Sequence, residues 1–285
     1  MSRPYSDCYY DAVDGLRLYY RDYSGPSDRI PALCLPGLTR NSRDFASLAE
    51  WLSKDRRVIC PDLRGRGRSE YDSEWRNYHP LHYADDVWRL LDELDLDRVV
   101  LIGTSLGGWM AMLMNYQQPG RIAAAVMNDI GPEANPEGIA RVVAGAGRLD
   151  KVSSFEEAVG QVRIFYEIAY PDWDEGQWRH YTGTTYRQTE DGEFDLNFDR
   201  NVGHAAREGV SGLTMNPWDL FDSLRNIPTL VIHGAISDIL TDDIILKMRH
   251  RKSDLQVAVV GDRGHAPLLD EKEAVDAITT FVHTL

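Results

Sequence analysis

The chain has 285 residues, 43% hydrophobic and 27% charged, a balance typical of globular proteins and long enough for one large domain with an insertion. Its net charge of −14, from 31 Lys+Arg against 45 Asp+Glu, argues against nucleic acid and anionic membrane surfaces as partners. No apolar run approaches membrane-spanning length, Met1 to Asp7 lacks a signal-peptide core, and a cytoplasmic location is expected. Cys8, Cys34 and Cys60 are odd in number and fall in or beside apparent strands. They read as buried thiols of a reducing compartment, with no disulfide framework and no metal site.

In chain order, residues 8–13 and 16–22 read as two strands turned at Asp14-Gly15, a strong hairpin signal. A short strand over 30–35 ends at Pro36-Gly37, and 42–53 has helical spacing of Phe45, Leu48, Ala49 and Leu52. A strand over 57–60 runs into the arginine-rich loop Asp62 to Ser69, and 83–94 reads as an amphipathic helix. Val99 to Ile102 form an apolar strand, 106–118 a helix stopped by Pro119-Gly120, and 122–127 another strand. The strand–helix rhythm then breaks over 133–222, where one helix is expected at 154–169 with Ser154 as cap and Glu157 three residues on. It resumes with a strand over 229–233, a helix over 242–249, a strand over 255–260 and a helix over 270–283. Alternation of this kind implies an α/β architecture: a mostly parallel, doubly wound sheet covered on both faces. The expected domains are a core of 1–132 and 223–285 and an inserted, mainly helical cap over 133–222.

Gly103-Thr104-Ser105-Leu106-Gly107 lies where a strand becomes a helix. A serine between glycines at that junction sits on a sharp turn with its hydroxyl outward, the nucleophile elbow. Gly107 and Gly108 in the first helical turn point to close packing on neighbouring strands. A serine hydroxyl needs a base, and the base needs an orienting group. His265, in the Gly-bearing loop after the last strand, is the candidate base, at the sheet edge where open α/β sheets keep their sites. Two acids end strands in the required order Ser, Asp, His: Asp238, which is preferred, and Asp129, the alternative. Backbone N–H groups of Leu106 and of Leu38, after Pro36-Gly37, are the expected oxyanion donors. His233 is expected to support its loop by hydrogen bonding.

Together, Pro36-Gly37-Leu38, Asp62 to Ser69, Gly103 to Gly108, Gly234 to Asp238 and Gly264-His265-Ala266-Pro267 resemble the α/β-hydrolase fold superfamily over most of the chain outside the cap. They are similar to its capped subgroup of carboxylesterases, enol-lactonases, carbon–carbon hydrolases and cofactor-free haloperoxidases. Pro36 departs from the His-Gly of many relatives but leaves the backbone donor in place. The resemblance implies a structural role for the Asp62–Ser69 loop. Ser105, where dehalogenases and epoxide hydrolases of this fold use aspartate, implies an acyl-enzyme.

The expected activity is hydrolysis of a carboxylic ester or lactone of a small apolar molecule, without cofactor or metal. The alternatives are a carbon–carbon hydrolase of vinylogous diketones, which a cap arginine placed for a carboxylate would favour, with Arg163, Arg179 and Arg187 as unplaced candidates, and a catalytically silent ligand-binding fold. Arg40, Trp109 and His204 are candidate substrate contacts. Aromatic residues of the cap serve either an acyl pocket or the cap's own core.

Overall fold

A computed structural model describes residues 4–209 and 215–285. The N-terminal hairpin pairs β1 (Ser6–Asp11) with β2 (Arg17–Tyr23) around a turn in which Gly15 has φ +85°. Then follow β3 (Ala32–Leu35), α1 (Ala46–Leu52), β4 (Val58–Pro61), α2 (Pro80–Glu93), β5 (Val99–Thr104), α3 (Leu106–Gln117) and β6 (Ile122–Asn128). The segment after β6 carries α4 (Pro136–Gly145), α5 (Phe155–Tyr166), α6 (Glu175–Thr185), a hairpin of β7 (Tyr186–Gln188) and β8 (Phe194–Leu196), α7 (Arg200–Arg207) and α8 (Pro217–Asp222). The chain closes with β9 (Thr229–Gly234), α9 (Asp242–Arg251), β10 (Gln256–Val260) and α10 (Lys272–His283).

Eight strands form one sheet in the order β1-β2-β4-β3-β5-β6-β9-β10. β2 runs antiparallel to both its neighbours, β1 and β4, and every pair from β4 to β10 is parallel. The alternation of the central strands explains why. In β5, Val99 and Leu101 enter one apolar cluster with α2, α3 and α9, while Val100 and Ile102 enter the other with α1 and α10. A strand whose residues are buried alternately on two faces must be apolar throughout. β5, flanked by β3 and β6, meets that condition.

The insertion packs over the carboxyl ends of these strands. Its anchors are a ring of polar contacts to core loops. Asp199 N–H donates to Gly65 O at 2.7 Å, Gly67 N–H to Asn197 O at 2.8 Å and Gly264 N–H to Ala169 O at 2.8 Å. Ser154 caps α5 as its sequence implies, accepting from Glu157 N–H. α8 lies against α3 of the core. Tyr170 and Trp173 stack at 3.8 Å with Trp178 edge-on to Trp173 at 4.7 Å, so much of the insertion's aromatic content is its own core. The short β7–β8 hairpin interrupts a segment expected to be mainly helical. No helix among the described residues is long and apolar enough to cross a membrane, and the three cysteines are unpaired.

Candidate active site

Ser105 joins β5 to α3 with φ +52° and ψ −113°, a conformation that L-residues rarely hold and that costs on the order of 1–3 kcal/mol. The surroundings hold it there. Ser105 N–H donates to Asn128 O at 2.9 Å, and Trp109 N–H returns to Ser105 O at 2.9 Å. The two flanking glycines are required by contact: a Cβ on Gly103 would overlap the Gly107 carbonyl, and one on Gly107 would overlap the Leu35 carbonyl. The helix therefore starts directly against β3 and β5.

His265 stands in the loop between β10 and α10. Its Nε2 is 2.8 Å from Ser105 Oγ. Three contacts fix this loop: Gly264 N–H on Ala169 O, the Tyr170 hydroxyl donating to Ala266 O at 2.8 Å, and Asn128 Nδ2 donating to Pro267 O at 2.7 Å. The same Asn128 amide donates to Thr104 Oγ1 at 3.0 Å, tying the elbow to the histidine loop.

The acid facing His265 corrects the sequence reading. His265 Nδ1 is 2.9 Å from Oδ2 of Asp129, not of Asp238. Asp129 follows β6 directly, fully buried, with φ +55°. Gly234 N–H donates to its Oδ1 at 3.0 Å, His233 Nδ1 lies 3.3 Å from the same oxygen, and the Ser237 hydroxyl donates to Oδ2 at 2.6 Å. Burial works to raise the pKa of Asp129, but hydrogen bonds from His233, His265 and Ser237 and the field of His265 outweigh it, and the net shift is downward. Asp238, after β9, turns instead to α4. Arg141 grips it bidentately, Nε to Oδ2 at 2.6 Å and Nη2 to Oδ1 at 2.8 Å. Arg141 is the main cause of its lowered pKa, and His265 acts on it only weakly through space. Asp238 is thus held by the insertion, and His265 Nδ1 is already engaged by Asp129.

Two compartments meet at Ser105. One, a cavity of about 80 Å³, is lined by His265, Arg40, Arg141, Tyr166, Tyr170 and Tyr181. The other, about 460 Å³, is lined by Leu106, Trp109, Ile130, Ile139, Val143 and Met215. Leu38 lines both. Its carbonyl accepts from Arg66 Nε at 2.9 Å, and Arg66 is itself fully buried and bonded to Arg64 O and the Tyr83 hydroxyl. The Asp62–Ser69 loop thus braces the Leu38 turn. Asp62 binds Ser42 N–H at 2.7 Å and Arg68 N–H at 2.9 Å, and Arg64 is held by Asp86, Asp72 and Asp14.

Trp109 lies on the apolar wall. Arg40 reaches the smaller compartment but is engaged by Asp44, Thr184 and Thr185, with its guanidinium 3.9 Å over the Tyr181 ring. His204 faces neither compartment; its ring packs 4.4 Å from Trp75. Arg163, Arg179 and Arg187 are also elsewhere, at Glu175, Glu156 and the Tyr71 ring. A second arginine that lines the site, Arg141, was missed. Its place on an amphipathic helix in the insertion gave no local signal of which way it faces.

The model of the α/β-hydrolase fold matches residues 31–272. The chain belongs to the α/β-hydrolase fold family. A crystal structure of an α/β hydrolase from Novosphingobium aromaticivorans superposes with a TM-score of 0.95 at 39% identity, covering 100% of both chains. A 3-hydroxybutyrate-oligomer hydrolase from Cupriavidus necator is 30% identical over 258 residues, 88% of this chain and 87% of that one. A non-heme chloroperoxidase from Burkholderia pyrrocinia is 28% identical over 81% of this chain and 83% of its own. E-2-(Acetamidomethylene)succinate hydrolase shares the fold, with a TM-score of 0.81 at 22% identity, covering 98% of this chain and 99% of that one. This member of the α/β-hydrolase family carries its serine, histidine and buried aspartate at the ends of β5, β10 and β6, along one edge of the sheet.

Proposed function

We propose that this α/β hydrolase is a serine hydrolase that cleaves a carboxylic ester or lactone of a small, mainly apolar molecule through an acyl-enzyme. The observation that carries the reading is the unbroken chain Ser105 Oγ, His265 Nε2, His265 Nδ1 and Asp129 Oδ2, with links of 2.8 and 2.9 Å. Ser105 attacks the carbonyl carbon as His265 takes its proton. Asp129 keeps the ring oriented and stabilises the imidazolium. The N–H groups of Leu38 and Leu106 receive the oxyanion, a contribution typically of about 2.7–4 kcal/mol per donor. His265 then protonates the leaving oxygen, and water, deprotonated by His265, releases the acid.

The mostly aliphatic compartment beside Trp109 supports an apolar acyl group. The relative from Cupriavidus necator acts by name on 3-hydroxybutyrate oligomers, whose units are joined as esters, and this agrees with an ester bond as the target. Cleavage of vinylogous diketones stands as the second reading: Arg163, Arg179 and Arg187 lie away from Ser105, but Arg141 of the insertion lines its pocket and could meet a substrate carboxylate. A fluorophosphonate probe should label wild-type protein at Ser105, and a panel of esters, lactones and vinylogous diketones should return turnover of the first two classes. Absence of labelling, or turnover confined to diketones, contradicts the assignment.

A further inference from the structure

The two compartments differ in a way that bears on which part of a substrate each receives. His265 lines the smaller one and not the larger. In acyl transfer the imidazolium gives its proton to the leaving oxygen, so the leaving group must lie on the side of His265. The smaller compartment is then the leaving-group side, and the larger, apolar one holds the acyl chain. At about 80 against about 460 Å³, the leaving-group side is the narrower of the two and favours a short leaving group.

The smaller compartment also holds the only guanidinium groups of the two cavities, Arg40 and Arg141, among the described residues. Their hydrogen bonds separate them. A guanidinium has a side edge, Nε with Nη2, and an end edge, Nη1 with Nη2, each matched to a carboxylate. Arg40 has both in use: Asp44 occupies the side edge at 2.6 and 2.7 Å, and Thr185 and Thr184 hydroxyls occupy Nη1 and Nη2 at 2.6 Å each. Arg141 spends its side edge on Asp238, while among the described residues nothing accepts from Nη1. Its end edge is left for a ligand.

We propose that the leaving alcohol carries a carboxylate, so that the substrate is an ester formed on the hydroxyl of a short hydroxy acid, and that the end edge of Arg141 selects it. The proposal rests on the ester-hydrolase reading above. As the Ser105 Oγ–acyl carbon bond forms and the acyl carbon–alkoxy oxygen bond breaks, that oxygen takes the electron pair. It also takes the proton that His265 had received from Ser105. The free hydroxy acid departs from Arg141, and water completes the cycle at the acyl carbon. Asp238 acts as a positioning residue that fixes the side edge of Arg141 so the end edge is presented.

The test compares two esters with one acyl group, 3-butyryloxybutanoate and the neutral 3-butyryloxybutanamide, reading butyrate release. Wild-type protein should favour the carboxylate in kcat/KM by about tenfold or more, mainly through KM. The paired variant Arg141→Met/Asp238→Asn, which removes the ion pair as a unit, should bring the ratio to near one. Arg141→Lys, with charge but no fork, should fall between. Equal turnover of both esters by the wild type, or an unchanged ratio in the paired variant, overturns the proposal while leaving the ester reading intact. Cleavage of neither ester by the wild type overturns both. The wild-type ratio and the lysine variant decide the matter even if the paired variant does not fold.

Discussion

The turns after β6 and β9, neighbouring strands, each place an aspartate at the same edge of the sheet, yet the two acids are held in different ways. Asp129 is wholly enclosed and collects donors from His265, Ser237, Gly234 and His233. Asp238 is about one-third exposed and meets one partner, Arg141, from the insertion. The lesson is that a strand-end position does not by itself make an orienting acid. A buried carboxylate stays charged only where several donors converge on it, and that convergence gives it a fixed geometry to hand on to a histidine. A partly exposed carboxylate paired with one guanidinium holds the insertion and the edge of the pocket instead.

The sharpest way to break this comparison begins with the nucleophile both acids would have to serve. Ser105→Ala should lower hydrolysis of short p-nitrophenyl esters by about 10⁴-fold or more, read from nitrophenol release; wild-type rates in that variant leave neither acid a role. Next comes the pair itself. Asp129→Asn keeps the shape but lets His265 Nδ1 lose its anionic partner, and kcat should fall by about 10³–10⁴-fold. Asp238→Asn should cost less than about tenfold on a neutral ester, since His265 is oriented without it. A reversal of those two effects returns the role to Asp238.

Stability offers smaller effects. Gly107→Ala drives a methyl group into the Leu35 carbonyl, and the urea midpoint should drop by the equivalent of about 1–3 kcal/mol. The acid limb separates the two turns further. Because the pKa of Asp129 is lower folded than the roughly 3.9 of an unfolded aspartate, its ionisation stabilises the fold above that value. That contribution is lost as pH falls through the folded pKa. The stability difference between wild type and Asp129→Asn should therefore narrow as pH drops from about 5 to about 2; a constant difference speaks against a charged Asp129. The smallest change is expected for Asp238→Asn at neutral pH, under about 1 kcal/mol by thermal unfolding, because its ion pair is partly solvated.

Local signals carried most of the fold. Apolar runs located the central strands, and the glycines around Ser105 located the elbow, because those constraints act between residues near in sequence. The β7–β8 hairpin was carried by the turn pair Asp191-Gly192, a signal obscured by strands of only three residues each. The choice between Asp129 and Asp238 was not legible, since it depends on four donors from three segments and on an arginine from a fourth. One hint was available in the topology: β6 pairs with β5, with Thr104 beside Asn128, so the residue after Asn128 lies next to the elbow. β9 lies one strand further out. The sequence left His204 between substrate contact and a structural role, because a helix in the insertion presents its faces to neighbours that only the packing defines; its ring packs on Trp75.

The central claim, that Asp129 and not Asp238 completes the chain from Ser105, is tested most directly by the proton on His265 Nδ1. A strongly deshielded Nδ1 proton resonance, assigned by selective ¹⁵N-histidine labelling, should be present in the wild type, persist in Asp238→Asn and vanish in Asp129→Asn. Its loss in Asp238→Asn with retention in Asp129→Asn would contradict the account.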